Sequence, residues 1–298
     1  TLSARNPLGL INQTEDVSKV NRAIANAKLT YSLPFLEGLK AIVNVGGDFS
    51  EGTGYVITDS NSAAGYFTNG RYSEYLSRKE NKLIETYATY NSGKRFGDHI
   101  LDLTAGYSYQ DWMRRGPNNP TFNQAQDSII GAASSPYPNY TKNVLLSYYA
   151  RAIYSYKGKY IVNASLRRDG SSRFSPEQRW GLFPAVSAAW LLTEEDFLKN
   201  SKAINMLKLR AGWGVTGQQD GIGDYAYIGN YFLGATTAQY AFGGQYYQVL
   251  RPAGFDANLK WETTASYNLG LDFGFKNDRF SGSIDVYRKE TIDLLAPV

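Results

Sequence analysis

From residue 265 the chain alternates between apolar and polar side chains without a break. Ala265, Tyr267, Leu269, Leu271, Phe273 and Phe275 fall on one side; Ser266, Asn268, Gly270, Asp272 and Gly274 fall on the other. A period of two residues marks an extended strand whose two faces meet different surroundings. Residues 280–286 repeat the pattern, with Phe280, Gly282, Ile284 and Val286 set against Ser281, Ser283 and Asp285. Between the two segments, Lys276-Asn277-Asp278-Arg279 reads as a tight hairpin turn.

The same alternation recurs upstream. Apolar sets lie on one side in 25–33 (Ala25 to Leu33), 39–49 (Leu39 to Phe49), 99–109 (Leu101 to Tyr109) and 144–156 (Val144 to Tyr156). They recur in 160–166 (Tyr160 to Leu166) and 205–215 (Leu207 to Val215), and less cleanly in 82–90 and 182–191. These segments predict ten strands, most of about ten residues.

Ten alternating strands suit a sandwich or a barrel, and the connections separate the two. Short links are expected at 34–38, 91–98, 157–159, 192–204 and 276–279, and long polar links at about 50–80, 111–142, 169–180 and 217–262. Short and long links alternate strictly, as in an antiparallel up-and-down transmembrane barrel with short periplasmic turns and long external loops. Within 192–204 a helical turn is expected at Thr193-Glu194-Glu195-Asp196-Phe197-Leu198, with Thr193 as N-cap. Tyr154, Tyr156 and Tyr160, Phe273, Phe275 and Phe280, and Tyr90 and Phe96 border short links, where a barrel carries an aromatic girdle.

The opposite faces carry Lys28, Asn44, Asp102, Arg151, Asn163, Arg167, Lys208, Arg210, Asp272 and Asp285 among others. Facing lipid, each midplane Arg or Lys costs about 2–4 kcal/mol, whereas a wet bore accepts them. At about 30 residues per strand, a plugged barrel of roughly 22 strands needs roughly 660 residues. The 298 residues are therefore read as one partial barrel domain, 1–298, since open strand edges are not tolerated in lipid. Thr1-Leu2-Ser3 at one end and Ala296-Pro297-Val298 at the other read as cuts in a longer protein.

Composition removes other classes. No apolar run reaches helix-spanning length and mean hydropathy is −0.40. Zero Cys excludes thiolate metal sites and a Cys nucleophile. The sole His, His99, sits just after a short link and reads as an interfacial or bore residue, with no nucleophile motif beside it. A net charge of +4, spread along the chain, gives no nucleic-acid footprint.

One stretch is more specific than the period. Arg168-Asp169-Gly170-Ser171-Ser172-Arg173-Phe174 is followed by Arg179-Trp180-Gly181, Phe183-Pro184 and Ala189-Trp190. Leu207 to Gly214, Thr216-Gly217-Gln218-Gln219, Leu259 to Thr264 and Asp285 to Lys289 fit the same pattern. Over about 160–292 the chain resembles the barrel of SusC/RagA-type TonB-dependent transporters of Bacteroidetes. Residues 1–159 match only in general barrel character. The resemblance implies active import of an oligosaccharide, or else an oligopeptide, across the outer membrane, without enzymatic chemistry. It implies a SusD-like surface lipoprotein, the TonB complex acting through a plug and TonB box not found here, closing C-terminal strands also not found here, and a dimer of transporter–lipoprotein pairs. The weighed alternatives are a siderophore or cobalamin-type receptor, and a surface glycan-binding β-protein without transport.

Arg168, Asp169, Gly170, Arg173, Phe174, Arg179, Trp180 and Gly181 are read as a structural signature, with a turn at Asp169-Gly170-Ser171-Ser172 and local ion pairs among Arg168, Arg173, Arg179, Asp169 and Glu177. For substrate contact the candidates are Tyr225, Tyr227, Tyr231, Phe232, Tyr240, Tyr246 and Tyr247 in the longest link, and Trp112 in the link 111–142. Flat aromatic faces stack on sugar rings, and binding residues concentrate on loops. No cofactor is expected. Asp220-Gly221-Ile222-Gly223-Asp224 places two carboxylates where a Ca²⁺ is conceivable, but with too few ligands for an EF-hand loop, so a solvated turn is preferred.

Overall fold

The computed structural model describes residues 7–133, 137–235, 237–277 and 279–296. The chain-end positions read as cuts at 1–3 and 297–298, and Asp278 of the last turn, lie outside them. A short helix α1 (Pro7–Asn12) precedes strands β1 (Thr14–Ser32), β2 (Leu39–Thr58), β3 (Arg71–Asn91), β4 (His99–Gly116), β5 (Thr121–Phe122) and β6 (Ile129–Gly131). Then come β7 (Asn139–Tyr156), β8 (Tyr160–Ser171), β9 (Trp180–Leu191) and β10 (Ile204–Gln218). The last are β11 (Tyr231–Leu233), β12 (Gln239–Phe242), β13 (Gln245–Gln248), β14 (Leu250–Pro252), β15 (Glu262–Phe275) and β16 (Phe280–Ile292).

The main sheet follows the order β1-β2-β3-β4-β7-β8-β9-β10-β15-β16, so each long strand neighbours the next one in the chain. β1 and β16 each have a neighbour on one side only. The ten expected strands are present, and all are longer than expected, 12 residues for β8 and 21 for β3. Much of the expected links 50–80 and 111–142 is strand: β2 runs on to Thr58 and β4 to Gly116. The strict alternation in link length fails at one pair, because 172–179 is shorter than 192–203. The helical turn is a 3-10 helix at Leu192–Glu194 capped by Leu191 without a side-chain bond, so Thr193 is not the N-cap.

The fold divides into two compact units, Thr1–Ala27 with Val45–Leu83 and Gln110–Asn143, and Lys28–Asn44 with Ile84–Tyr109 and Val144–Val298. In the first unit Arg22 meets Asp48 at 2.8 Å, Asp48 also accepts from Asn81, and Arg78 pairs with Glu51. In the second unit the antiparallel register keeps the two faces distinct. Leu209 pairs with Leu271 and Trp190, Ala211 with Leu269 and Ala188, and Trp213 with Tyr267 and Val186. Lys208 pairs with Asp272, and Gly270 with Arg210 and Asp285, on the other face.

The apolar face is not a core. Tyr267 is 48% and Leu269 54% exposed, and Val162, Leu166, Val186, Ile284 and Val286 are likewise exposed. Among the described residues, the buried apolar side chains are only Ile42, Phe174, Phe183 and Trp261. A chain of this size held by burial in water hides far more apolar surface than this. An exposed apolar face of this extent needs a nonaqueous solvent.

Aromatics frame that face at both ends in the second unit. Toward 157–159 and 192–203, the Tyr156 ring lies 4.6 Å from His99 and 6.3 Å from Tyr160, and Tyr160 lies 6.2 Å from Trp190. Toward 172–179, Tyr148 lies 5.3 Å from Tyr107 and 6.1 Å from Trp180. Trp180 and Trp190 mark the two belts on one strand. The ten residue steps from one to the other, at about 3.3 Å each and tilted by about 40°, span about 25 Å, the height of a barrel's apolar band.

Candidate functional site

The polar face carries charges in matched sets. Arg210 donates to Asp272 from Nε at 2.9 Å and from Nη2 at 2.7 Å, and reaches Asp285 from Nη1 at 3.2 Å; Lys208 lies 3.6 Å from Asp272. Alternation on β10, β15 and β16 brings these residues to one face: Lys208 lies directly across from Asp272, and Arg210 and Asp285 flank Gly270 from its two sides. Nearby on β7 and β8, Arg167 donates to Asp169 at 2.7 Å and to the fully buried Ser147 hydroxyl at 2.8 Å, and Arg151 donates to Asn163 at 2.8 Å. Asn44 donates to Glu85 at 2.9 Å on β2 and β3.

At the end of β8 the signature builds the root of the longest link. Phe174 is fully buried, 5.0 Å from Trp261, and Phe183 stands edge-on to Trp261 at 5.3 Å. Gly181 and Gly217 leave room for the Phe183 ring: a Cβ at either position would collide with it. Trp261 donates its indole N–H to the Arg179 carbonyl at 2.9 Å. Ser171 accepts from the Arg173 amide at 3.1 Å, and Ser172 accepts from the Val144 amide at 2.8 Å, so the serines close the turn. Gly170 packs its open side against the Trp180 ring.

The ion pairs of this region differ from the expected local set. Asp169 pairs with Arg167 instead of Arg168, Arg173 or Arg179. Arg173 reaches across to the long link, donating from Nε to Asp224 at 3.1 Å and from Nη1 to Asp220 at 3.0 Å and the Gln219 carbonyl at 3.1 Å. The two carboxylates considered for Ca²⁺ thus meet the Arg173 guanidinium. Arg168 points to the opposite face, its guanidinium 4.7 Å over the Trp180 ring. The Arg179 side chain meets neither Asp169 nor Glu177: its Nε is buried without a partner.

Beyond this root the long link forms two small ribbons, β11 with β14 and β12 with β13. Gly243 and Gly244 turn the second ribbon with φ of 59° and 78°, in the left-handed region that favours glycine. Tyr240 pairs with Tyr247 on one face, and Tyr246 with Ala241 on the other. Tyr240 is 64% and Tyr246 73% exposed. Tyr225, Tyr231, Phe232 and Tyr247 are exposed too, and Tyr227 is half-buried. Phe232 carries the Arg251 guanidinium 4.3 Å over its ring. All seven candidates of this link thus lie in it as expected, Tyr227 half-buried and the other six exposed. Trp112 is not among them. It sits half-buried in β4, because β4 runs six residues into the expected link 111–142.

Sequence reasoning missed one property of the link: from Tyr225 to Leu250 no Asp, Glu, Lys or Arg occurs. The signal is present in the letters, as an absence of charge and not as a motif. It also missed Glu195, which binds the short-link aromatics. Glu195 accepts from the Tyr160 hydroxyl at 2.5 Å, the Trp190 indole at 3.0 Å and Lys159 at 3.3 Å. Those bonds, Tyr160's first, hold its carboxyl below the ordinary carboxylate range.

A family model described as "TonB dependent receptor-like, beta-barrel" matches residues 2–298. The chain belongs to the TonB-dependent receptor β-barrel family. Among curated relatives of this receptor barrel, the TonB-dependent receptor SusC of Bacteroides thetaiotaomicron is 37% identical over 99% of the chain and 29% of its own length. The TonB-dependent receptor P3 of Formosa agariphila is 32% identical over 98% of the chain and 29% of its own length. The chain thus spans less than a third of these TonB-dependent receptors. In fold it matches the solved RagAB peptide transporter with a TM-score of 0.79, at 21% identity, over 97% of this chain and 32% of that one. The ferric-catecholate import receptor Fiu of E. coli K12 matches with a TM-score of 0.52, at 10% identity, over 94% of this chain and 42% of that one.

The family places this TonB-dependent receptor barrel in the outer membrane. The apolar face of its strands is then the bilayer face, and the polar face lines the interior. Short links face the periplasm and long links the cell exterior. Among the described residues no helix is long and apolar enough to span a bilayer, so the strands make the crossing.

Proposed function

We propose that the chain forms a wall and an outer mouth of a TonB-dependent importer whose cargo is a neutral oligosaccharide, working with a SusD-like surface lipoprotein. The observation that carries the cargo class is the uncharged, aromatic stretch 225–250, with Tyr240, Tyr246 and Tyr247 open to solvent. Sugar rings offer apolar faces that stack on tyrosine, and hydroxyls that suit Gln239, Gln245 and Gln248 beside them. A ferric chelate with net negative charge finds no cation between Asp224 and Arg251 to meet it. The likeness to SusC over 99% of this chain supports import as the task, and the likeness in fold to the RagAB peptide transporter keeps an oligopeptide as second cargo. The work is binding and gated passage, with no bond made or broken.

The test is binding to the purified full-length receptor, comparing neutral oligosaccharides with mixed oligopeptides by calorimetry. Tyr240→Ala combined with Tyr247→Ala is expected to weaken oligosaccharide binding by about tenfold, since one base- or ring-stacking contact is worth about 1–3 kcal/mol. Peptide binding that is tighter than sugar binding, or sugar binding unmoved by the double variant, sinks the cargo assignment.

A further inference from the structure

The hairpin of β12 and β13 has two unlike faces. Tyr240 lies across from Tyr247 and Phe242 across from Gln245, and residues two apart on one strand share a face. Tyr240, Phe242, Gln245 and Tyr247 therefore lie on one face, and Gln239, Ala241, Tyr246 and Gln248 on the other. The second face is tied down at Gln248, which donates from Nε2 to the Gly234 carbonyl at 2.6 Å, just past the end of β11. The first face carries three open rings, with Phe242 69% and Tyr247 52% exposed beside Tyr240. Among the described residues no other ring and no cation lies against Tyr240 or Phe242, and the Tyr240 hydroxyl is unbonded. The Tyr247 hydroxyl donates to Gln245 Oε1 at 3.1 Å, which leaves the Gln245 amide hydrogens to donate outward.

Resting on the oligosaccharide reading above, we infer that this one face is the binding platform and that it takes three consecutive sugar units, over Tyr247, Tyr240 and Phe242 in that order. The spacing carries the number. Directly opposed residues stand about 5 Å apart and residues two apart on a strand about 7 Å. The three rings thus follow one another at steps comparable to the advance of a sugar chain by one pyranose. Tyr240 and Tyr247 each offer a flat face and a hydroxyl. Phe242 offers a flat face alone, and polar bonding at that unit falls to Gln245 across from it. Beyond Phe242 comes Gly243-Gly244, with no side chain to add, and at the other end Ala238 and Val249 carry no ring. Phe242 is therefore the residue that sets the preferred length. Tyr246 is the most exposed of the hairpin's rings at 73%, yet it lies on the other face and is no part of the platform.

The experiment measures binding to the full-length receptor by calorimetry, with neutral oligomers of one to four units prepared from starch, cellulose and mannan. For a series that binds, wild-type affinity is expected to rise about tenfold with each added unit up to three, the low end of one aromatic stacking contact per step, and to level off at four. Phe242→Ala should remove the step from two units to three and leave the shorter oligomers unchanged, and Phe242→Tyr should restore that step. Tyr246→Ala should bind every length as wild type does. Heat-modifiable mobility on gels verifies that each variant is a folded barrel. Affinity that climbs by the same factor past three units, a third-unit step that survives Phe242→Ala, or a loss with Tyr246→Ala equal to that with Tyr240→Ala overturns the inference and leaves the cargo reading standing, because sugar is still bound. If none of the three series binds, the cargo reading falls and takes this inference with it.

Discussion

Trp261 joins the longest link to the wall by two different forces. Its ring is packed between Phe174 and Phe183, and its indole N–H closes on the Arg179 carbonyl. Trp261→Ala removes both and leaves a void, so a loss of about 3–5 kcal/mol is expected. It would appear as a lower temperature for the loss of heat-modifiable mobility in the full-length receptor, with Trp261→Phe intermediate. Glu195 gives a prediction in pH. Its carboxyl is held below its ordinary value of 4.5, first by the Tyr160 hydroxyl, then by Trp190 and Lys159. A lowered pKa means that the folded state favours the charged form. The stabilisation is complete above pH 4.5 and is lost as pH falls through the lowered value. Wild type should therefore lose thermal stability on acidification below about pH 4.5, while Glu195→Gln, lacking that titration, should show a flatter profile there. Residues such as these were the least legible. Arg173 stands beside Glu177 in the chain, yet its carboxylates come from 47 and 51 residues away, and sequence proximity carries no information about such partners.

Strands were legible where they cross the bilayer and illegible where they leave it. Alternation is imposed by lipid on one side and water on the other. Beyond the belts both faces meet water, the pattern lapses, and the ladder of backbone hydrogen bonds continues without it. Ser50-Glu51-Gly52-Thr53-Gly54 therefore reads as loop in the letters and lies in β2. The same limit moved Trp112 from loop to strand. The hairpin of β12 and β13 is an element of the opposite kind. It pairs only with itself, and two strands alone are marginal in water. Replacing residues 239–248 by a short Gly-Ser turn is expected to leave barrel assembly unchanged, as read by heat-modifiable mobility. Oligosaccharide binding should fall to the level of the Tyr240/Tyr247 double variant or below. A misassembled barrel would show that the hairpin has a structural role instead.

For the molecule as a whole, the period-two pattern already fixed which face meets which solvent, and the register makes this testable residue by residue. Leu269 and Asn268 are adjacent, similarly exposed and on opposite faces of β15. Leu269→Arg should destabilise by about 2–4 kcal/mol or block insertion, while Asn268→Arg should be near neutral. Chemical unfolding of the receptor in liposomes measures both, and equal penalties would contradict a polar interior. Strand count and closure were beyond reach, because an open sheet and a closed one share the same alternation. β1 and β16 leave one row of backbone groups each without a neighbour in this chain, and hydrocarbon does not satisfy such groups.

The excursion between β10 and β15 is riveted near both its ends to a single short turn. Arg173 grips residues 219, 220 and 224, and the Arg179 carbonyl holds Trp261. Movement of the span between those rivets is therefore passed to the seam of β8 and β9, and not only to the strands it connects.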